Sequence, residues 1–193
     1  EEIVNAKAKE VTEGFLYNRP YEARKQNFAE PNIIEPLNYN KVLLKILSHE
    51  NMASREPIFE QYDKQIQGRI HTETGLADSG VMAPFNSEKY PEEIRNVGIA
   101  LSTDHNPRYG LIDPYWGGVN AVVEAMRNVA AVGATPHALS DCLCFGNPEK
   151  PHQMWEFVES VRGVADACHS ITLKDNPEHA TPINAGNVSF YNE

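Results

Sequence analysis

The sequence has no apolar run near the ~18 residues that a membrane-spanning helix needs. Positive charge is scarce: 17 Lys and Arg stand against 27 Asp and Glu, a formal net charge of −10. A surface of that sign repels a phosphate backbone, so nucleic acid is excluded as a partner. Nucleotides stay open, because backbone N–H groups and a bound cation can hold a phosphate without a basic surface. Cysteine is scarce too. Cys142, Cys144 and Cys168 are all the thiols there are. They form no disulfide framework, and an odd number at this length fits a reducing cytosol. The chain opens on Glu1-Glu2, not on the basic segment and apolar core of a secretory signal. Neither usual phosphate loop is present, because there is no G-x-x-x-x-G-K-S/T and no G-x-G-x-x-G after a strand. The expectation is a cytoplasmic protein with no membrane partner. A start without Met and a stop at Asn192-Glu193, just after a strand-like run, further suggest a piece of a longer polypeptide.

At 193 residues the chain can hold one good-sized domain and part of another. Residues 1–38 are polar and broken by Pro20, Pro31 and Pro36, which reads as a connector or the tail of a preceding domain. Residues 39–67 read as a helical lead-in. A helix is expected from Asn40 to Ser48, with Val42, Leu43, Ile46 and Leu47 on one face. A second, capped by Ser54, is expected to run through Tyr62. The main domain is expected over 68–193, truncated at its C-terminus. Its first part, 68–89, is rich in Gly, Ser and Thr and reads as irregular. Beyond it the pattern predicts strands at 97–103, 109–112, 138–144 and 182–191. Helices are predicted at 118–132, ending at Gly133, and at 153–168, with an apolar stripe from Met154 to Cys168 that includes Val161. That order is an α/β or α+β layer arrangement.

Two segments bring together residues suited to a nucleotide phosphate. They are Gly186-Asn187-Val188-Ser189 and the run from Ser140 to Pro148. Glycine lets a phosphate approach the backbone. Asn and Asp offer the hard oxygen ligands that Mg²⁺ prefers, and a Ser hydroxyl can bind a substrate oxygen. Asp141 stands in a strand between Leu139 and Leu143, where a charge needs a partner or water. Glu124 and Asn128, four apart on a predicted helix, share a face. They could hold Mg²⁺, or belong to a solvated polar face. Asp104 leaves the 97–103 strand and reads either as a metal ligand or as a turn residue with Asn106-Pro107. The turn through Arg108 would place a cation beside Asp104. His137, His152, His169 and His179 lack the spacing of a structural zinc site. Cys142 and Cys144 alternate on one strand face with no second pair, and nothing marks either thiol as a catalytic nucleophile.

Together several motifs resemble phosphoribosylformylglycinamidine synthase subunit II. They are Asp104-His105-Asn106-Pro107-Arg108-Tyr109, Asp113-Pro114-Tyr115, the run Glu124 to Ala134, Asp141-Cys142-Leu143, Phe145 to Pro151, Met154-Trp155, Gly186-Asn187-Val188-Ser189 and Tyr191-Asn192-Glu193, with Ile58 to Asp63 upstream. The resemblance covers roughly residues 46–193. It implies the fold of the aminoimidazole ribonucleotide synthetase N-terminal domain, an α/β (α+β) layered domain with a mixed sheet and helices on one side. It implies ATP-dependent amidation of formylglycinamide ribonucleotide with glutamine-derived ammonia, in purine biosynthesis. Asp141 and Gly186 would contact ATP, Asn187 would bind Mg²⁺ and Ser189 the substrate. Glu124 and Asn128 match Mg²⁺ positions, and Asp104 could join them. The implied partners are the remaining halves of the synthase, a glutaminase subunit or domain, and a second copy in a homodimer through this domain. The family's general-acid/base histidine lies in the first half, so the chain alone is expected to be inactive. Departures surround the site: His105 for Gly, Cys144 for Asn, Ala185 for Ser, and extra length at 171–182. A scaffold role with a structural nucleotide, or another ATP-dependent synthetase or kinase of the superfamily, are the alternatives.

Overall fold

A computed structural model describes residues 23, 32–60, 68–73 and 75–192. The expected connector before residue 32 and the end of the helix expected to reach Tyr62 fall outside these residues. The chain divides into two units. Among the described residues one holds Asp104–Glu124 and 137–192, the other 32–103 and Ala125–Pro136.

In the second unit, helix α1 (Tyr39–Leu47) starts at Asn38, whose Oδ1 accepts from the Lys41 N–H at 3.1 Å. Its apolar residues Val42, Leu43, Ile46 and Leu47 are exposed. Helix α2 is short (Glu56–Phe59), and Ser54 Oγ accepts from the Glu56 N–H at 3.1 Å. Residues 68–89, expected to be irregular, contain strands β1 (Ile70–Thr72) and β2 (Gly80–Met82). With β3 (Ile99–Leu101) they form an antiparallel sheet in the order β1-β2-β3. Helix α3 (Glu92–Arg95) precedes β3. The Arg95 guanidinium ties the loop before it, donating to the carbonyls of Tyr90 (2.7 Å) and Glu88 (3.2 Å). Ser102 Oγ donates to the Ala125 carbonyl at 2.9 Å.

The first unit opens with a correction. Tyr109–Ile112, expected as a strand, belongs to helix α4 (Pro107–Ile112). The start signals outweigh the apolar run: Pro107 occupies the first turn, and Asn106 Oδ1 accepts from the Arg108 N–H at 3.1 Å. Asp113 then ends α4 and caps the next helix, its Oδ1 accepting from the Trp116 N–H at 3.1 Å. That helix, α5 (Pro114–Ala131), starts earlier than the apolar pattern predicts. It ends at Gly133, whose φ of 85° is the left-handed cap expected there. Strand β4 (Leu139–Cys144), helix α6 (Pro151–Ser170) and strands β5 (Thr172–Leu173), β6 (Asn176–Ala180) and β7 (Ile183–Ser189) follow. Residues 171–182, the extra length, form the antiparallel β5–β6 pair. Thr181 moors it, taking the Cys168 carbonyl with its N–H (3.0 Å) and the Ile171 carbonyl with its hydroxyl (2.7 Å). The chain is α+β. Among the described residues parallel and antiparallel pairs both occur, in three separate sheets.

On α5 the buried residues are Pro114, Gly117, Gly118, Val122 and Met126, and Pro114, Gly118, Val122 and Met126 recur every four. On α6 they are Gly163, Ala167 and Cys168, while Val161 of the expected stripe is exposed. Small residues dominate because the helix backbones nearly touch. A Cβ on Gly118 would meet the Ser160 carbonyl oxygen at 2.5 Å, and one on Gly163 would collide with the Tyr115 carbonyl. The Arg162 guanidinium sits over the Tyr115 ring, 5.0 Å from its centroid, and pairs with Glu159 at 2.6 Å. The Tyr115 hydroxyl donates to Asp166 Oδ2 at 3.1 Å, a bond that, with lesser desolvation, raises the phenol above its ordinary value.

Gly163→Ala tests this contact. In an open helix the change stabilises by roughly 1 kcal/mol. Here overpacking against the Tyr115 backbone should reverse the sign and cost ~1–3 kcal/mol in urea unfolding. A stabilised variant would contradict the packing.

Candidate functional site

Strands β4 and β7 pair in parallel, joined by α6 and the β5–β6 pair as crossover. Leu139 faces Ile183, but Ser140 faces Ala185, so Asn184 is an extra residue in β7. This bulge moves the register by one. Beyond it Asp141 lies opposite Gly186, Cys142 opposite Asn187, Leu143 opposite Val188 and Cys144 opposite Ser189.

Alternation along β4 then sorts the residues by face. Leu139, Asp141 and Leu143 are half-buried; Ser140, Cys142 and Cys144 are exposed. The Asp141 charge is therefore neither fully enclosed nor in open solvent. Its carboxylate lies directly over Gly186: a Cβ built on that glycine would collide with Oδ1 and come within 2.5 Å of Cγ and Oδ2. A side chain at 186 would push the Asp141 carboxylate aside, so the glycine leaves that carboxylate its place over the strand. Asn187 falls on the opposite face, with Cys142, and Ser189 with Cys144. The four residues sit within one four-residue stretch of a strand pair, divided between its two sides.

The C-terminal end of this pair is clamped. Asn192 donates through Nδ2 to the carbonyls of Ser189 (2.9 Å) and Phe145 (3.1 Å), and through its backbone N–H to Phe145 as well (3.1 Å). Ser189 Oγ lies 3.1 Å from Asn192 Nδ2 and 3.3 Å from its Oδ1. Tyr191, between them, holds a φ of 62°, in the left-handed region that a turn requires. Sequence reasoning gave Asn192 no role, although an Asn just after a strand is a turn signal. It also missed Gln153, whose Oε1 accepts from the Gly146 N–H at 3.2 Å and whose carboxamide fills the space a Gly146 side chain would need. Phe157 stacks edge-on with Phe145 (5.4 Å) and Phe190 (5.1 Å), fixing both strand exits.

The other expected ligands stand elsewhere along the chain. Glu124 is exposed and Asn128 half-buried, one turn apart on α5. Asp104 is half-buried in the connection before α4, while Arg108, four residues on, is exposed. Among the described residues no three His, Cys, Asp or Glu side chains gather as a metal site. The donors at the strand pair are nonetheless of the right kind for Mg²⁺. Asp141, Asn187 and Ser189 offer carboxylate, carboxamide and hydroxyl oxygens, and Mg²⁺ binds few protein ligands, keeping waters and phosphate oxygens.

The chain is an α+β fold whose parallel strand pair carries a carboxylate over a strand glycine, with an Asn and a Ser just beyond. More narrowly, the chain belongs to the family described as AIR synthase related protein, N-terminal domain, whose model matches residues 78–193. A phosphoribosylformylglycinamidine synthase subunit PurL of Methanothrix thermoacetophila is 52% identical over 193 residues, the whole chain and 24% of that relative. The subunit of the same name from Deinococcus radiodurans is 41% identical over 82% of the chain and 19% of its own length. The chain thus spans about a quarter or less of these relatives. Among solved structures, Thermotoga maritima PurL complexed with AMPPCP shares the fold, with a TM-score of 0.52 at 22% identity, covering 89% of this chain and 24% of that one.

Replacing Asn192 by Ala should cost about 1 kcal/mol, the net worth of an ordinary hydrogen bond, and should speed amide exchange at Phe145. Unchanged exchange there would show that the clamp does not hold the strand ends.

Proposed function

We propose that this chain is a nucleotide-binding part of a phosphoribosylformylglycinamidine synthase, an ATP-dependent ligase that forms formylglycinamidine ribonucleotide from the formylglycinamide. The relatives' shared name and the complex of Thermotoga maritima PurL with the ATP analogue AMPPCP support this reading. The observation that carries it is the Asp141 carboxylate seated over Gly186, with Asn187 and Ser189 following in the same strand.

In the proposed reaction the terminal phosphoryl group of ATP passes to the amide oxygen of the substrate. Ammonia then attacks that carbon and phosphate leaves. Such a transfer needs positioning and charge stabilisation rather than a covalent nucleophile on the protein. Mg²⁺, when bound, would neutralise phosphate charge. Asn187 would hold one such cation through its carboxamide oxygen, and Glu124, Asn128 and Asp104 are each proposed, separately from it, as Mg²⁺ donors. Asp141 would orient the nucleotide, and the bare Gly186 backbone would admit it closely. Ser189 would bind the substrate. Because Asp141 and Asn187 face opposite sides, one ligand would reach both around the exposed edge of β7.

Glutamine-derived ammonia would come from a glutaminase subunit or domain, and the rest of the synthase would complete the active site. We expect the chain alone to be inactive. A homodimer through this domain is supported by edge strand β3, where Ile99 and Leu101 are exposed. No helix among the described residues is long and apolar enough to cross a membrane, and a cytoplasmic location is part of the proposal.

Titration calorimetry with AMPPCP and Mg²⁺ tests the reading. Wild type should release binding heat. Asp141→Ala and Gly186→Ala should each bind at least about tenfold more weakly, ~1.4 kcal/mol, with circular dichroism unchanged. No heat from the folded wild-type chain would sink the proposal. Equal heat from Asp141→Ala would remove that carboxylate from the site.

A further inference from the structure

The proposed nucleotide chemistry uses oxygen donors and leaves two sulfur atoms beside them unexplained. Cys142 and Cys144 are exposed on one face of β4, two residues apart, while Cys168 is buried. Strand alternation brings both thiols to the same side, and the register sets Asn187 opposite the first and Ser189 opposite the second. Interaction with Cys142, then desolvation, raises the Cys144 thiol above its ordinary value.

We propose that Cys142 and Cys144 form a two-thiol chelating site for a thiophilic d¹⁰ cation of the Zn²⁺ and Cd²⁺ class, on the outer face of the β4–β7 pair. Metal–sulfur bonds of about 2.3 Å at a tetrahedral angle set the two sulfurs ~3.8 Å apart. Residues two apart on one strand face stand roughly 6.6 Å apart along the strand, close enough for two thiol side chains to converge on one cation. Thiolates select soft cations over Mg²⁺. Binding forms two metal–sulfur bonds and releases two protons to solvent, with no redox change.

The site differs from a structural zinc centre. Among the described residues no third His, Cys, Asp or Glu completes it, so the remaining positions fall to water or to the neutral oxygens of Asn187 and Ser189. It is open, solvent-facing and reversible. It stands independently of the nucleotide reading, because it needs only the strand geometry and the thiols.

The test is a titration of the full chain, freshly reduced, with Cd²⁺ alone. The ultraviolet sulfur-to-cadmium charge-transfer band should grow and saturate at one cation per chain. It should persist in Cys168→Ser and vanish in Cys142→Ser and in Cys144→Ser. A second readout on unmutated protein guards against misfolded variants. At ten times its dissociation constant, Cd²⁺ should slow iodoacetamide labelling of Cys142 and Cys144 about tenfold by mass action, and leave Cys168 labelling unchanged. No band at all, a band that survives in the Cys142→Ser/Cys144→Ser double variant, or labelling of the pair unaffected by Cd²⁺, would overturn the proposal.

Discussion

The pairing of β4 with β7 is the constraint on which the site depends, and within it the single extra residue Asn184. In a sheet the side-chain period is two, so a slip of one residue sends every later side chain to the other face. Without the bulge, Asp141 would lie opposite Ala185, and a methyl group would stand where the carboxylate now sits over Gly186. With it, a carboxylate and a bare strand backbone share one side, while Asn187 and Ser189 join the two exposed thiols on the other. The bulge thus decides which residues of β7 lie beside each side chain of β4.

What holds that strand pair in place is close packing of backbone more than bulk of side chain. Gly118 and Gly163 let α5 and α6 approach until neither tolerates a β-carbon, and Gly117 does the same against Gly110 of α4. Helices that close leave room for few large side chains, which is why the buried positions of α6 are Gly163, Ala167 and Cys168. Helix α6 also forms most of the crossover that a parallel pair requires. Its first turn carries Gln153 to Gly146, and its second brings Phe157 between Phe145 and Phe190. Packing on the helix thus sets the strand exits, where Asn192 and Ser189 meet.

The elements with strong periodicity and plain punctuation were legible in the sequence. Helix α6, strand β4, the body of α5 and the cap at Gly133 lie where their patterns put them, though α5 starts four residues early, and Cys142 with Cys144 share a face as alternation requires. Short elements were not. The apolar run at 109–112 suggested a strand, yet a proline in the first turn and the Asn106 cap make it helix. Strands β1 and β2 are three residues each, too short to show a period. The site was legible as a set of residues but not as a geometry. Asn184 carries no signal of a bulge, so the division of Asp141 and Asn187 between two faces could not be read beforehand. The clamp by Asn192 depends on a turn conformation at Tyr191 that composition does not reveal.

The most direct measurement is backbone amide NMR of the chain during addition of Mg²⁺ and AMPPCP. The account predicts shifts concentrated at Asp141, Gly186, Asn187 and Ser189, on both sides of one strand edge, with far smaller changes in β1–β3. Shifts that cluster elsewhere, or on one face of β4–β7 alone, would contradict a ligand that reaches around that edge.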